Sequence, residues 1–191
     1  MFKKLAALVV IASSTASIAN AETKIGVSYI SNTFKDGSTK ITGDGFGISI
    51  ISEGESKLST SIAYSSISAL GLTLSGFSTI AGYDLINDLD LSTGSGNRLR
   101  AGIGYQRVEL SGGGLTATDD GVIAGLQYDF ALSKDVTMDF NLLGLVDDFE
   151  PQYGLGIGYN VGNGKVSAKY TFSDSLGVEA SGFTNGYTLG F

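Results

Sequence analysis

The sequence contains no cysteine, no histidine and no tryptophan, and it has one proline among 191 residues. The lack of cysteine excludes disulfide bonds, cysteine-based metal centres and a lipid anchor on a cysteine. The lack of histidine removes the commonest general base and metal ligand, together with every nucleophile that depends on histidine. The 19 acidic residues outnumber the 12 basic ones, which argues against nucleic-acid binding. These absences predict a protein that is not an enzyme and that needs no cofactor or metal.

The first 21 residues have the organisation of a cleaved secretory signal peptide. A basic start is followed by the apolar stretch from Leu5 to Ala12, and the segment from Ala19 to Ala21 matches the small-residue cleavage pattern. The apolar stretch is too short for a membrane-spanning helix, which needs about 20 residues. We therefore predict cleavage after Ala21 and one domain over residues 22–191. No later apolar run is long enough for a helical span, so a membrane crossing would use strands.

Apolar residues alternate with small or polar residues along the rest of the chain, which is rich in glycine. From Tyr153 to Val161, for example, large apolar residues alternate with Gly154, Gly156 and Gly158. This period of two places the apolar residues on one face of a β-strand. We expect a bulge at Gly76, because Leu74 has the opposite parity to Phe77. The pattern predicts ten strands, at residues 24–34, 43–52, 57–67, 76–86, 97–110, 120–132, 135–147, 152–161, 164–173 and 182–191.

Alternation alone fits both a soluble barrel, whose apolar face points inward, and a membrane barrel, whose apolar face contacts lipid. Three features favour the membrane barrel. The polar face is rich in Gly, Ser and Thr, and only 16% of the residues are charged, whereas a soluble surface carries abundant Lys and Glu. Aromatic residues are frequent near the predicted strand ends, where interfacial girdles lie in membrane barrels. Finally, Tyr187, Leu189 and Phe191 alternate with other residues up to the end of the sequence.

This last pattern resembles the terminal-strand signature of bacterial outer-membrane β-barrels, which the barrel-assembly machinery recognises through residues equivalent to Tyr187, Leu189 and Phe191. With its signal sequence, the chain is similar in kind to small barrels of the OmpA, OmpX and opacity-protein type. The resemblance implies export through the periplasm to the outer membrane of a Gram-negative bacterium. It also implies contact with outer-membrane lipid and lipopolysaccharide, and we expect a monomer.

The number of strands follows from the length of the chain. A membrane strand needs about 10 residues, so ten strands and nine connections fit, and eight strands remain an alternative. We favour ten because the hairpin from Gly154 to Phe172 and the two strands before it are too distinct to merge. An even number also places both chain ends on the periplasmic side. The sequence thus predicts an all-β, transmembrane, antiparallel, up-and-down β-barrel.

Charged residues fall on the face predicted to line the lumen. One hypothesis is a plugged barrel in which Arg100 and Lys169 bind Asp129 and Asp139, because buried charges must be paired or hydrated. The other is a water-filled conduit whose carboxylates favour cations. Narrow barrels are filled by side chains, which favours the plug, whereas inward glycines leave space. The candidates for lumen ion pairs are Asp84, Arg100, Asp129, Asp139 and Lys169, with Lys24, Arg98 and Lys165 nearer the periplasmic end.

Two features of the predicted outer loops have alternative interpretations. Acidic residues at 119–120, 147–150 and 174–179 are expected to be solvated, although clustered carboxylates also bind Ca²⁺. No calcium-loop spacing is present. The apolar segment from Ile67 to Leu74 is expected to be two strands that extend above the membrane, and the alternative is a surface that contacts a partner.

The leading functional hypothesis is a non-enzymatic, integral outer-membrane barrel with a structural or cell-surface role, a narrow ion-paired lumen and acidic outer loops. The alternative is a narrow porin-like channel for ions or small solutes, with a preference for cations. Some outer-membrane enzymes are built on similar barrels, and the known examples use a catalytic histidine. This chain has no histidine, so we do not expect an enzyme of that kind.

Overall fold

The computed structural model describes residues 22–36, 38–54, 57–146, 151–175 and 178–191, which form a closed barrel of ten strands. Each strand pairs antiparallel with its neighbours in sequence, and the first closes the barrel by pairing with the last. The predicted all-β, antiparallel, up-and-down barrel with ten strands is therefore confirmed. The strands are β1 (Glu22–Asp36), β2 (Thr39–Glu53), β3 (Leu58–Ala69), β4 (Leu72–Asn87), β5 (Asn97–Gly112), β6 (Leu115–Ala131), β7 (Val136–Leu145), β8 (Pro151–Val161), β9 (Gly164–Ser175) and β10 (Val178–Gly190).

The apolar face of the strands points away from the barrel axis. Val27 and Tyr159 are 55% and 54% exposed, respectively. Over the described ranges, the buried hydrophobic residues are Ile67 and Ile123, at 6% and 4% exposure. A soluble barrel would bury its apolar face in a core, so this exterior is the surface expected of a barrel in lipid. None of the described residues belongs to a helix long and apolar enough to cross a membrane.

Aromatic side chains lie at both ends of the apolar exterior. Phe46 and Tyr64 are neighbours at the end opposite the chain termini, with 6.3 Å between ring centroids. Tyr128 and Phe130 lie at the other end, with 5.9 Å between ring centroids. Tyrosine and phenylalanine at these positions match the interfacial girdles of membrane barrels.

The strands extend past the apolar exterior at the end opposite the chain termini, which we call the distal end. β6 has 17 residues and β5 has 16, although about 10 suffice to cross a bilayer. Two-residue turns join neighbouring strands there, at Leu70-Gly71 and at Gly113-Gly114. All four turn residues have positive φ, as tight hairpin turns between twisted strands require. The segment from Ile67 to Leu74 is therefore two extended strands with a tight turn.

The structure corrects the predicted bulge in β4. Gly76 pairs in unbroken register with Ser65 and Val108, and the register shift lies between Asp84 and Ile86. The parity of Leu74 needs no bulge, because this residue lies on the lumen side and lines a cavity there. The strands β4 and β6 also begin earlier than predicted, at residues 72 and 115, since both continue beyond the apolar exterior.

The longest described connection, residues 88–96 between β4 and β5, lies at the end with the chain termini, which we call the proximal end. Its Asp90 carboxylate accepts hydrogen bonds from the Ser92 amide at 2.9 Å and from the Ser92 hydroxyl at 2.6 Å. Asp90 and Ser95 also form a backbone bridge. A Cβ on Gly94 would lie 2.2 Å from the Lys134 amide nitrogen, so the connection packs against the turn between β6 and β7.

Candidate functional site in the barrel lumen

The centre of the candidate site is Glu53, at the proximal end of β2. Its side chain is 18% exposed and accepts charged hydrogen bonds from Lys24, from Arg98 at 2.7 Å and from Arg100 at 3.0 Å. Both arginines belong to β5, the third strand along the barrel wall from β2. These ion pairs therefore cross the lumen and do not follow one pair of neighbouring strands.

Asp84 and Arg100 form the second part of this network. They are register partners on β4 and β5, and the Arg100 Nε donates to the Asp84 Oδ1 at 2.6 Å. Asp84 is 4% exposed. A buried carboxylate needs a charged partner to offset its loss of hydration, and Arg100 supplies it. The same guanidinium bridges Asp84 to Glu53.

Asp129 is held by Arg98 and by a glutamine on its own strand. Arg98 and Asp129 are register partners on β5 and β6. The Arg98 Nε and Nη2 donate to the Asp129 Oδ2 at 3.0 and 2.8 Å, and the Gln127 Nε2 donates to the Oδ1 at 2.9 Å. Both oxygens of this carboxylate are therefore hydrogen-bonded.

On the other side of the barrel, Lys169 of β9 pairs with Asp139 of β7 at 3.3 Å. The two residues are both register partners of Gly156, on opposite sides of β8. A Cβ on Gly156 would lie 2.3 Å from the Asp139 Oδ1, and one on Gly154 would lie 2.7 Å from the Lys169 Cε. The glycines of β8 thus make room for the side chains of the neighbouring strands, and that space is occupied.

Two cavities lie within the lumen. The larger, which we call the vestibule, has a volume of about 1030 Å³ and extends to the turns at the proximal end. The smaller, which we call the distal chamber, has a volume of about 340 Å³. The vestibule is lined by the charged residues Glu53, Arg98, Asp129, Asp139, Lys165 and Lys169.

Aliphatic residues line the distal chamber, although the lumen of a membrane barrel is ordinarily polar. Ile67 and Leu74 are register partners, and Ile30 is linked to Ile67 through their common partner Gly45. Hydroxyl and amide side chains, such as those of Ser65 and Gln106, complete the lining of this chamber. We call the aliphatic set Ile30, Ile67, Leu74 and Val108 the collar.

The structure places the five lumen candidates in ion pairs: Lys169 pairs with one of the two acids named in the sequence hypothesis, whereas Arg100 pairs with neither. Arg100 binds Asp84 and Glu53, Asp129 is bound by Arg98, and Lys169 binds Asp139. Glu53 is not among the lumen residues predicted from the sequence, because the predicted strand ends one residue earlier, at 52. The alternation in β2 could have identified it. Odd-numbered residues of this strand line the lumen from Gly43 onwards, and Glu53 continues that series.

Of the predicted C-terminal signature, Tyr187 and Leu189 lie on the outer face, whereas Phe191 borders the vestibule. Leu189 pairs with Ile25, and Tyr187 pairs with Val27. The Tyr187 ring packs over Gly164, where a Cβ would lie 2.3 Å from the tyrosine hydroxyl. Ala19 and Ala21 lie outside the described residues, so the signal peptide and its cleavage site stay predictions.

Where the structure describes them, the acidic residues of the predicted outer loops belong to separate strands. Asp119 and Asp120 belong to β6, where the Tyr105 hydroxyl donates to Asp120 at 2.9 Å. Glu179 of β10 pairs with Lys35 at 3.1 Å. Residues 147–150 lie outside the described residues. Over the described ranges, no group of three or more potential ligand side chains could hold a metal ion.

Comparison with known proteins gives similarity in structure alone. No protein-family model matches the sequence, and no curated protein matches it. Similar solved structures include neisserial surface protein A, with 12% identity over 88% of this chain and 97% of that one and a TM-score of 0.45. The attachment invasion locus protein Ail of Yersinia pestis has 16% identity over 90% and 99%, with a TM-score of 0.43. The translocator domain of the autotransporter NalP from Neisseria meningitidis has 11% identity over 100% and 96%, with a TM-score of 0.49.

The likeness to these structures is one of fold alone. Identities of 11–16% transfer no function from those proteins to this one. What this barrel does must therefore be inferred from its own exterior, its lumen and its rim.

Proposed function

We propose that this protein is an integral outer-membrane β-barrel of a Gram-negative bacterium, without enzymatic activity, with a structural or cell-surface role and a lumen closed to ions. The apolar exterior supports membrane insertion, because side chains such as Val27 are half-exposed and need lipid around them. The similar structures are barrels of the same kind. Outer-membrane lipid and lipopolysaccharide are the surroundings that we propose for this exterior.

The observation that carries the closed lumen is the set of ion pairs from Glu53 across to Arg98 and Arg100. Neighbouring strands are about 4.8 Å apart, so ten strands leave a lumen that a few long side chains can fill. These charges are paired with one another, and an ion would have to displace them in order to pass. A carboxylate that is already neutralised by arginine also gives little preference for cations.

The collar supports the same proposal at the distal end. Ile30, Ile67 and Leu74 present aliphatic groups to the lumen. Apolar groups resist wetting and so hinder the passage of hydrated ions. The collar therefore adds an obstacle to that of the ion pairs, although polar side chains such as Ser65 and Gln106 share its chamber.

Single-channel recording in a planar lipid bilayer tests this proposal directly. Folding of the sample is first established by the difference in gel mobility between unheated and boiled protein. We expect no steady openings from the folded wild-type barrel. Reproducible openings of one size would overturn the closed lumen and support the alternative, a narrow channel. In that case Asp129→Asn and Asp139→Asn should alter its ion preference.

Surface exposure of the distal end can be tested by cysteine labelling, because the natural chain has no cysteine. Gly113→Cys places a thiol in a distal turn, and Gly162→Cys places one in a proximal turn. The two glycines are matched, with φ of 59° and 58° and no neighbouring atom within 4 Å of an added Cβ. We expect a membrane-impermeant maleimide to label intact cells only through Gly113→Cys. Labelling only through Gly162→Cys would contradict the proposed orientation, because it would place the proximal end at the cell surface.

A further inference from the structure

Lys165 is a strand cation in the wall of the vestibule that forms no ion pair within the described part of the chain. On the lumen-facing wall of the vestibule, Glu53, Asp84, Asp129 and Asp139 each have a cation partner within 4 Å. Among the described residues, no acid lies within that distance of Lys165. Asp129 and Asp139 attract its ammonium group at longer range, but both are already bound by Arg98 and Lys169.

The position of Lys165 is fixed by the strand beside it. A Cβ on Gly158 would lie 1.9 Å from the Lys165 Cε and 2.8 Å from its Nζ. The lysine stem therefore packs over a glycine of β8, and this packing keeps the ammonium group within the vestibule. Any side chain larger than hydrogen at Gly158 would displace it.

Two cations also act on this ammonium group, but more weakly than Asp129 and Asp139 do. Lys24 and Arg98 both repel Lys165, and both are paired with Glu53. An anion bound at the Lys165 Nζ would give this partly buried ammonium group the direct partner that it lacks among the described residues. The vestibule, at about 1030 Å³, is at the upper end of the size range of small-molecule sites.

We infer that the vestibule binds a small molecule bearing a carboxylate or phosphate group, which enters from the proximal end and pairs with Lys165. Carboxylate and phosphate oxygens form the charge-assisted hydrogen bonds that a lysine ammonium donates. This site lies in the wider, charged part of the lumen, and the small molecule reaches it without passing the collar. The inference is therefore independent of whether the barrel conducts ions.

Titration calorimetry on the refolded barrel in a non-ionic detergent tests the inference, with sodium phosphate and sodium acetate as probes at constant ionic strength. Sodium chloride is the reference for unspecific ion effects. We expect saturable binding of at least one probe, at least a tenfold loss of affinity in Lys165→Met, and retention in Lys165→Arg. Lys40→Met removes an exposed charge on β2 and should bind as the wild type does.

Gly158→Ala gives a second test that keeps every charge. The added methyl group should push Lys165 from its position and weaken binding, whereas Gly76→Ala, in the distal chamber, should leave binding unchanged. All variants must first show the mobility shift of a folded barrel on unheated gels. Equal affinity in wild type and Lys165→Met, or heat signals no larger than those of chloride, would overturn the site. Because no membrane is present, this outcome is independent of the conductance measurement.

Discussion

Arg98 of β5 reaches across the lumen to Glu53 of β2, with 2.7 Å between its Nη1 and the Glu53 Oε1. The same guanidinium holds Asp129 on the adjacent strand β6. One side chain thus joins three strands of the wall, and Arg100 repeats the arrangement with Asp84 and Glu53. The barrel is therefore cross-linked through its interior as well as through its backbone ladder.

Glu53→Gln should weaken the barrel most among single charge removals in the lumen. The variant keeps the size of the side chain but leaves Lys24, Arg98 and Arg100 without its negative charge. Breaking a buried charged interaction is costly, so we expect the free energy of unfolding to fall by about 2–4 kcal/mol. Urea unfolding of the folded barrel in detergent measures this change.

The matched control for Glu53 is Glu109→Gln on β5. Glu109 pairs with Arg107 at 3.6 Å, and both side chains are more than a third exposed. Exposed pairs of this kind contribute little, so its effect should stay below about 0.5 kcal/mol. Equal losses in the two variants would contradict the importance of the lumen network.

Gly156→Ala should disturb the pair of Asp139 and Lys169. The added methyl carbon would lie 2.3 Å from the Asp139 Oδ1, so that carboxylate must move. Overpacking of this kind costs about 1–3 kcal/mol, and urea unfolding will show it. Gly76→Ala is the control, because its Cβ would have only the Ser65 Oγ near it, at 3.2 Å. A loss in the control as large as in Gly156→Ala would show that glycine is needed in strands generally and not for the ion pair.

Leu70→Asn should stabilise the barrel. Leu70 has a φ of 52° in the turn between β3 and β4 and is 82% exposed. A left-handed conformation costs a leucine about 1–2 kcal/mol, whereas asparagine tolerates it. We expect a gain of about 1 kcal/mol in the free energy of unfolding. A loss of stability would mean that the Leu70 side chain makes a contact that its exposure does not indicate.

The connection between β4 and β5 should loosen in acid. The Ser92 hydroxyl, followed by further hydrogen bonds from Thr93 and the Ser92 amide, holds the pKa of Asp90 below its ordinary value. Since the pKa is lower in the folded state than in the unfolded state, this stabilisation is fully present above the unfolded-state pKa. It is lost as the pH falls through the folded-state pKa.

Amide exchange of Gly94 and Ser95 measures this effect, because both amides donate to the Asp90 carbonyl at 3.0 Å. After correction for intrinsic exchange, their protection should fall in acid in the wild type and show no such titration in Asp90→Asn. Asp88→Asn, in the same connection, should behave as the wild type does. An unchanged titration in Asp90→Asn would assign the effect to another group.

The wall of the barrel could be predicted from the sequence because strand formation depends on local patterns. Alternation from Tyr153 to Val161 defines a strand with one apolar face, whatever its neighbours are. Ten such segments in series with short connections leave few topologies besides an up-and-down barrel. The predicted bulge at Gly76 is wrong because local alternation does not show which apolar residues face the lumen. The prediction requires Leu74 to face outward, whereas Leu74 belongs to the collar inside the barrel.

The sequence by itself therefore determined the strands, their order and most of the charges that face inward, with Glu53 as the exception. Only the tertiary structure decided which of those charges pair. Register places Arg98 opposite Asp129 and Arg100 opposite Asp84, and a shift of two residues would exchange these partners. Closure of the barrel brings Glu53 within reach of β5, which no local pattern specifies. Charge pairing depends on distances of 3–4 Å between strands that are far apart in sequence, and these distances exist only once the barrel is closed.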